Sequence, residues 1–169
     1  DEGFHEVFTP ILVPVPSIEP NLEVFKTELR TSKGVKRDGY LIMSPEFSIK
    51  KLLSEGVGSV FEITKSFRNE EEVSSLHNPE FTMLEWYRVN ANYFDVLTEM
   101  KSLIVHLAHT LLSSTCLIGK NKQIELNAEW YTFTVSEVFK KWAGWDPLEA
   151  SPGTHLKFDE DLVNKIEPN

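Results

Sequence analysis

The sequence predicts an α+β fold, an antiparallel β-sheet flanked by helices, and three observations carry that prediction. Two stretches of alternating hydrophobicity, "SVFEITKSFRN" (59–69) and "EFTMLEWYRV" (80–89), flank a polar loop, which is the pattern of an antiparallel hairpin. After them, "NYFDVLTEMKSLIVHLAHTLLSS" (92–114) spaces Phe94, Leu97, Met100, Leu103, Leu107 and Leu111 by three and four residues, the period of an amphipathic helix. Finally, 169 residues at 41% hydrophobic and 25% charged suffice for one domain with a buried core, so residues 1–169 are expected to form a single unit.

The elements follow in order. "GFHEVFTPILVPVP" (3–16) is β-branched and aromatic up to Pro10, and the prolines at 10, 14 and 16 then keep it extended rather than helical. "LEVFKTEL" (22–29) and "GYLIMS" (39–44) read as short strands separated by the polar, glycine-containing loop "RTSKGVKRDG" (30–39), a turn composition. "SPEFSIKKLLSEG" (44–56) has Ser44 as N-cap, Pro45 at the first helical position, Glu46 in the first turn, an apolar face from Phe47, Leu52 and Leu53, and Gly56 as the stop. Beyond the hairpin and the long helix, "TVSE" (134–137) is a capping box opening a second helix, "VSEVFKKWAG", closed by Gly144. From Trp145 onward the chain is polar and broken by prolines.

Composition narrows the function classes. A formal net charge of −9 argues against a surface that follows a nucleic-acid backbone throughout, while leaving room for a local basic groove. The single cysteine, Cys116, allows no intrachain disulfide and no cysteine-based zinc cluster, in keeping with a reducing compartment. "DEGFHEVFTP" has neither a basic leader region nor an apolar one, and no apolar run approaches the roughly 20 residues that span a bilayer. The expectation is a soluble, cytoplasmic protein.

Parity along the hairpin separates two faces. Phe61, Ile63 and Phe67 share one side of the first strand, with Glu62, Thr64, Ser66 and Arg68 on the other. Leu84 and Trp86 share a side of the second strand, opposite Phe81, Met83, Glu85 and Tyr87. Pairing the apolar sets toward a core makes that face structural and puts Arg68 on the same face as Phe81, Glu85 and Tyr87. Arginine presents a planar fork to carboxylate or phosphate, and Phe81 and Glu85, four residues apart, are separated by about 13 Å. That span approximates an aminoacyl adenylate, with a ring for the purine, a carboxylate for an ammonium and Arg68 between them. The loop bearing Glu70, Glu71, Glu72 and His77 is placed to close over the nucleotide. By position alone, structural readings stand beside these. Glu46 complements a helix dipole, Arg68 and Glu70 form an ion pair, His77 is a turn residue before Asn-Pro, Glu85 is a solvated strand residue, and Phe81 and Tyr87 are core aromatics.

"VFEITKSFRNEE" with "HNPEFTMLEWY" resembles motif 2 of the class II aminoacyl-tRNA synthetases, lysine branch, and "GFHEVFTPIL" resembles motif 1, whose proline, here Pro10, lies at a dimer interface in the family. "MSPEFSIKKLLSEG" is similar to the helix joining them, so the resemblance covers roughly residues 1–115. Lysyl-tRNA synthetases carry a Gly-Gly-Ala segment where this chain has "SIEPNLEVFKT". That stretch and "LEWYR" look more like the elongation factor P lysine ligases, which lack an anticodon-binding domain. The resemblance implies ATP-dependent activation of lysine or (R)-β-lysine as an adenylate and its transfer to a lysine of elongation factor P. A lysyl-tRNA synthetase fragment acting on tRNA-Lys, or a non-catalytic binding paralogue, is the alternative.

Carried over residue by residue, Arg68 meets the α-phosphate and the substrate carboxylate, Glu70 and Asn78 the adenine side, His77 the γ-phosphate, and Phe81 stacks on adenine. Glu46 contacts the substrate amino group, and Glu85 and Tyr87 form the pocket for the side-chain ammonium. The resemblance further implies Mg²⁺ and a homodimer through the motif 1 region. Motif 3, with its ATP-holding arginine and magnesium-binding acids, is absent from the sequence, so metal ligands are expected outside it and the chain alone is expected to be an inactive N-terminal part of a catalytic core.

Overall fold

A computed structural model describes residues 2–69, 77–119 and 122–147. In chain order these form β1 (His5–Glu6), β2 (Leu12–Val13), β3 (Lys26–Arg30), β4 (Lys36–Leu41), α1 (Glu46–Ser54), β5 (Val60–Phe67), β6 (Glu80–Tyr87), α2 (Tyr93–Leu112), β7 (Cys116–Ile118), β8 (Gln123–Glu125) and α3 (Val135–Val138). The chain divides after Lys101 into two compact units.

In the first unit β5 is the central strand. It pairs antiparallel with β6 along its whole length, from Val60 opposite Tyr87 to Phe67 opposite Glu80, and parallel with β1 on its other edge. The expected antiparallel sheet thus has one parallel edge. A second, antiparallel sheet has the order β2-β4-β3. The Ile42 N–H extends the β2–β4 ladder to the Ile11 carbonyl (3.0 Å), and backbone hydrogen bonds from Phe67 N–H to the Ile42 carbonyl (2.8 Å) and from Asn69 N–H to the Glu23 carbonyl (2.9 Å) join the two sheets. They hold the Met43–Ser44 segment at the end of β5, where α1 begins. Ile42, Met43, Ile49 and Val60 are buried and form the core here.

α1 starts at Glu46, with Pro45 in the capping position. The capping position therefore lies one residue beyond the predicted Ser44 and carries no side-chain cap bond, although the Ser44 hydroxyl still accepts from the Glu46 N–H (3.3 Å). Gly56 follows the helix at φ +82°, the left-handed stop expected of glycine. Its inward residue is Ile49, fully buried, whereas Phe47 is 45% exposed.

Two expectations need correction. The predicted loop at 30–39 is half strand, because β3 runs to Arg30 and β4 begins at Lys36, leaving only residues 31–35 as the turn; charged residues that read as loop pair across an exposed ladder instead. The predicted burial of the β5–β6 faces is reversed. Val60, Glu62, Thr64 and Ser66 are the buried side of β5, while Ile63 is 55% and Leu84 42% exposed. The side-chain sets themselves pair as read, Phe61 with Trp86 and Ile63 with Leu84, but the polar set faces inward.

In the second unit, β7 and β8 form a hairpin that the sequence reading did not contain. Leu126 is buried next to it, and the Trp130 indole N–H donates to the Leu126 carbonyl (3.0 Å). The capping box is present as predicted. The Thr134 hydroxyl accepts from Glu137 N–H (3.2 Å), and the Glu137 carboxylate accepts from Thr134 N–H (2.7 Å). α3 runs on into a π-type turn, Phe139–Ala143, ended by Gly144 at φ +76°.

Candidate functional site

Directly opposed residues of an antiparallel pair share a face, so the register alone aligns Glu62 with Glu85, Thr64 with Met83, Ser66 with Phe81 and Val60 with Tyr87. Arg68 continues that face beyond β5, its N–H bonded to the Pro79 carbonyl (3.0 Å). The predicted grouping of Arg68, Phe81, Glu85 and Tyr87 is therefore what the fold produces.

Arg68 and Glu85 line a depression of about 240 Å³ together with Glu46, brought in by the first turn of α1, and Glu19. Leu22, Met43 and Met83 supply its apolar wall. The Arg68 guanidinium lies 5.1 Å from the Phe81 ring centroid, a cation–π distance. The ring of Phe81 thus sits beside the cation, adjacent to the depression rather than lining it.

At the other end the Tyr87 hydroxyl donates to Glu85 Oε1 (2.6 Å). Partial burial pushes the Glu85 carboxyl above the usual range, and the negative charges of Glu46 and Glu62 add to this, against the hydrogen bond from Tyr87 and the charge of Lys50. Burial, followed by the bond to Glu85, pushes the Tyr87 phenol up as well, so Tyr87 stays a neutral donor. Glu46 is ion-paired with Lys50 one helical turn on, and that carboxylate raises the Lys50 ammonium. The depression is consequently acidic at the Glu85 end and cationic at the Arg68 end, an arrangement that accepts a ligand carrying a positive group at one end and an anionic group at the other.

His77 and Asn78 are exposed where β6 begins and do not line the depression. Glu70 lies outside the described residues. Sequence reasoning did not foresee Glu19, Leu22, Met43 or Ser44 as lining, and it put Met83 and Glu62 on the shared face without giving either a role. The parity of Glu62 with Glu85 was a usable signal for that residue. For Glu19, in a proline-flanked extended segment, there was none.

Comparison with known proteins shows the family. The family model for class II tRNA synthetases (D, K and N) matches residues 1–165. Over 167 residues the chain is 35% identical to the elongation factor P–(R)-β-lysine ligase of Buchnera aphidicola subsp. Baizongia pistaciae, covering 99% of this chain and 44% of that protein. It is 37% identical to the elongation factor P–(R)-β-lysine ligase homologue of Aquifex aeolicus, covering 85% of this chain and 43% of that one. It is 35% identical to the lysine–tRNA ligase of Psychrobacter cryohalolentis, covering 85% of this chain and 27% of that enzyme. The chain thus spans less than half the length of these curated relatives. With a family match across almost its whole length, and motif 2 folded as the hairpin carrying Arg68, Phe81 and Glu85, the chain belongs to the class II tRNA synthetases of the D, K and N group.

Proposed function

We propose that this chain is the amino-acid-binding part of an ATP-dependent aminoacyl ligase that activates lysine or (R)-β-lysine as the adenylate, with a lysine side chain of elongation factor P as acceptor. The observation that carries this reading is the opposed polarity of one depression, lined at one end by Glu46 and by Glu85, which Tyr87 holds from behind, and at the other by Arg68, which stacks on the neighbouring Phe81 ring. A distal ammonium fits the acidic end. The substrate carboxylate then points toward Arg68, in reach of an α-phosphate held by the same guanidinium.

In the step so proposed, a carboxylate oxygen attacks the α-phosphorus, the bond to the bridging oxygen breaks, and pyrophosphate leaves with that electron pair. Arg68 lowers the barrier by balancing charge on the transferring phosphoryl group, and the walls of the depression hold the reactants in line. Phe81 stacks the purine, Glu70 and Asn78 serve its polar edge, and His77 meets the terminal phosphate. ATP and Mg²⁺ are used generally in this family. The described residues contain no group of three or more His, Cys, Asp or Glu side chains that could hold a metal. No step is therefore routed through Mg²⁺. Without motif 3 the chain by itself is inactive, and dimerisation involves the segment around Pro10.

The acceptor is assigned to elongation factor P because "SIEPNLEVFKT" lacks the Gly-Gly-Ala of lysyl-tRNA synthetases. The test is ATP–pyrophosphate exchange by the full-length gene product, with α-lysine and (R)-β-lysine supplied separately. Preference for (R)-β-lysine is expected. Preference for α-lysine moves the assignment to a tRNA ligase, and no exchange with either leaves a non-catalytic binding paralogue. No helix among the described residues is long and apolar enough to cross a membrane, and we assign the protein to the cytoplasm.

A further inference from the structure

The inward face of β5 carries a carboxylate that the chemistry above does not use. Glu62 is 2% exposed, and both its oxygens are held by Thr9: Oε1 accepts the backbone N–H and Oε2 the hydroxyl, each at 2.9 Å. These two neutral donors satisfy the oxygens without cancelling the charge, and none of the ion pairs among the described residues includes Glu62. Directly across the ladder stands Glu85, with about 5 Å between Cβ atoms at such a pair.

We propose that Glu62 is a positioning residue that sets the specificity of the neighbouring pocket: clamped by Thr9, it fixes a second negative charge behind Glu85, so that the pocket selects an ammonium-bearing side chain over a neutral isostere. This inference rests on the reading of Glu85 as the ammonium acceptor. The groups facing Glu85 are Glu62 from β5, Glu46 and Lys50 from α1, Tyr87 from its own strand, and Glu19 and Arg68 from the walls of the depression. Lys50 is already engaged by Glu46. An entering ammonium therefore offsets the negative charge that Glu46 and, behind the strand pair, Glu62 add around Glu85, which a hydroxyl of the same size cannot do. Because Thr9 immediately precedes Pro10, the clamp also ties pocket occupancy to the segment between β1 and β2.

The experiment measures exchange kinetics of the full-length gene product for its preferred lysine isomer and for the matching side-chain hydroxyl analogue, from about pH 5 to about pH 9, alongside thermal melting. In Glu62→Gln, KM for the lysine substrate rises roughly tenfold, the scale of a partly screened charge at this separation, while kcat holds and the preference over the hydroxyl analogue shrinks by the same factor. The acid limb of kcat/KM moves to lower pH, since Glu85 loses a like-charged neighbour. Glu62→Asp, which keeps the charge, recovers much of the preference. A Glu62→Gln protein with a lowered Tm but unchanged KM, preference and acid limb would make Glu62 a structural staple and overturn the proposal. Should Glu62→Gln not fold, Thr9→Val decides: loss of the hydroxyl donor raises the lysine KM with the acid limb in place, and an unchanged KM overturns the proposal. A parent enzyme with no preference for ammonium over hydroxyl defeats the Glu85 reading itself, and is recognised before any variant is made.

Discussion

The two long antiparallel hairpins of the first unit, β3–β4 and β5–β6, are both rich in charge and differ in where the charge sits. On β3–β4 every residue of β3 is exposed. Its charges meet as ion pairs, Lys26 with Asp38 at 2.9 Å, Lys36 with Glu28 at 3.2 Å and Arg30 with Glu28 at 2.5 Å. Such exposed pairs contribute little each. On β5–β6 the carboxylate of Glu62 and the hydroxyls of Thr64 and Ser66 are turned inward, with Glu85 half-buried beside them. Removing a charged group from water raises its interaction with whatever enters the site. The difference teaches that abundance of charge marks neither hairpin as functional. The rigid burial of charge next to a depression does.

The comparison breaks most visibly through arginine. Arg68→Ala is expected to lower adenylate formation by about 10²-fold or more in the full-length gene product, whereas Arg37→Ala, on the exposed ladder, leaves pyrophosphate exchange unchanged. Equal effects of the two would remove the distinction between the hairpins.

Next in size is Glu85→Gln, which should weaken binding of a lysine-type ligand by roughly tenfold through loss of a charge-assisted bond, with a neutral analogue bound as before, as calorimetric titration would read. For Glu85 itself the signs oppose. The carboxyl is raised by burial, so cation binding fades as pH falls through the raised value, above the usual carboxylate range. Folding behaves in the reverse way. A native value above the unfolded one gives stability that is present at low pH and lost as pH rises through that window, which melting without ligand would follow.

Smaller still is Gly39→Ala. A Cβ there meets Leu12 Cδ1 at 3.1 Å and Leu29 Cγ at 3.3 Å, and overpacking flexible side-chain ends should cost about 1 kcal/mol in a melting experiment. Smallest is Asp38→Asn, which removes a partner of Lys26 and should change stability by about 0.5 kcal/mol or less.

Periodicity made β5, β6 and α2 legible, and cap chemistry marked α1 and α3, because those signals are local. The shared face of Arg68, Phe81, Glu85 and Tyr87 followed from strand parity alone. Which face is buried did not. Apolar side chains are ordinarily taken as inward, but Glu62 is satisfied by Thr9, 53 residues away, and no local pattern announces such a partner. The strand read at 39–44 overlaps β4, but the start of β4 was hidden by Lys36 and Arg37, which resemble a loop until a ladder pairs them. Met43 and Met83 look like core residues in any sequence, and only the meeting of the two sheets makes them walls.

The parallel docking of β1 against β5 has a kinetic consequence. Its register joins His5 to Val60 and Glu6 to Phe61, so it forms only after the whole intervening chain has closed into a loop, whereas β5 and β6 meet across a short connection. Loop closure of that length is slow and entropically unfavourable. The hairpin is therefore expected to assemble before β1 docks on it, which leaves Glu62 hydrated until Thr9 reaches it. Pulsed hydrogen exchange during refolding should show amide protection along β5–β6 before the Thr9 N–H is protected, and simultaneous protection would contradict this order of events.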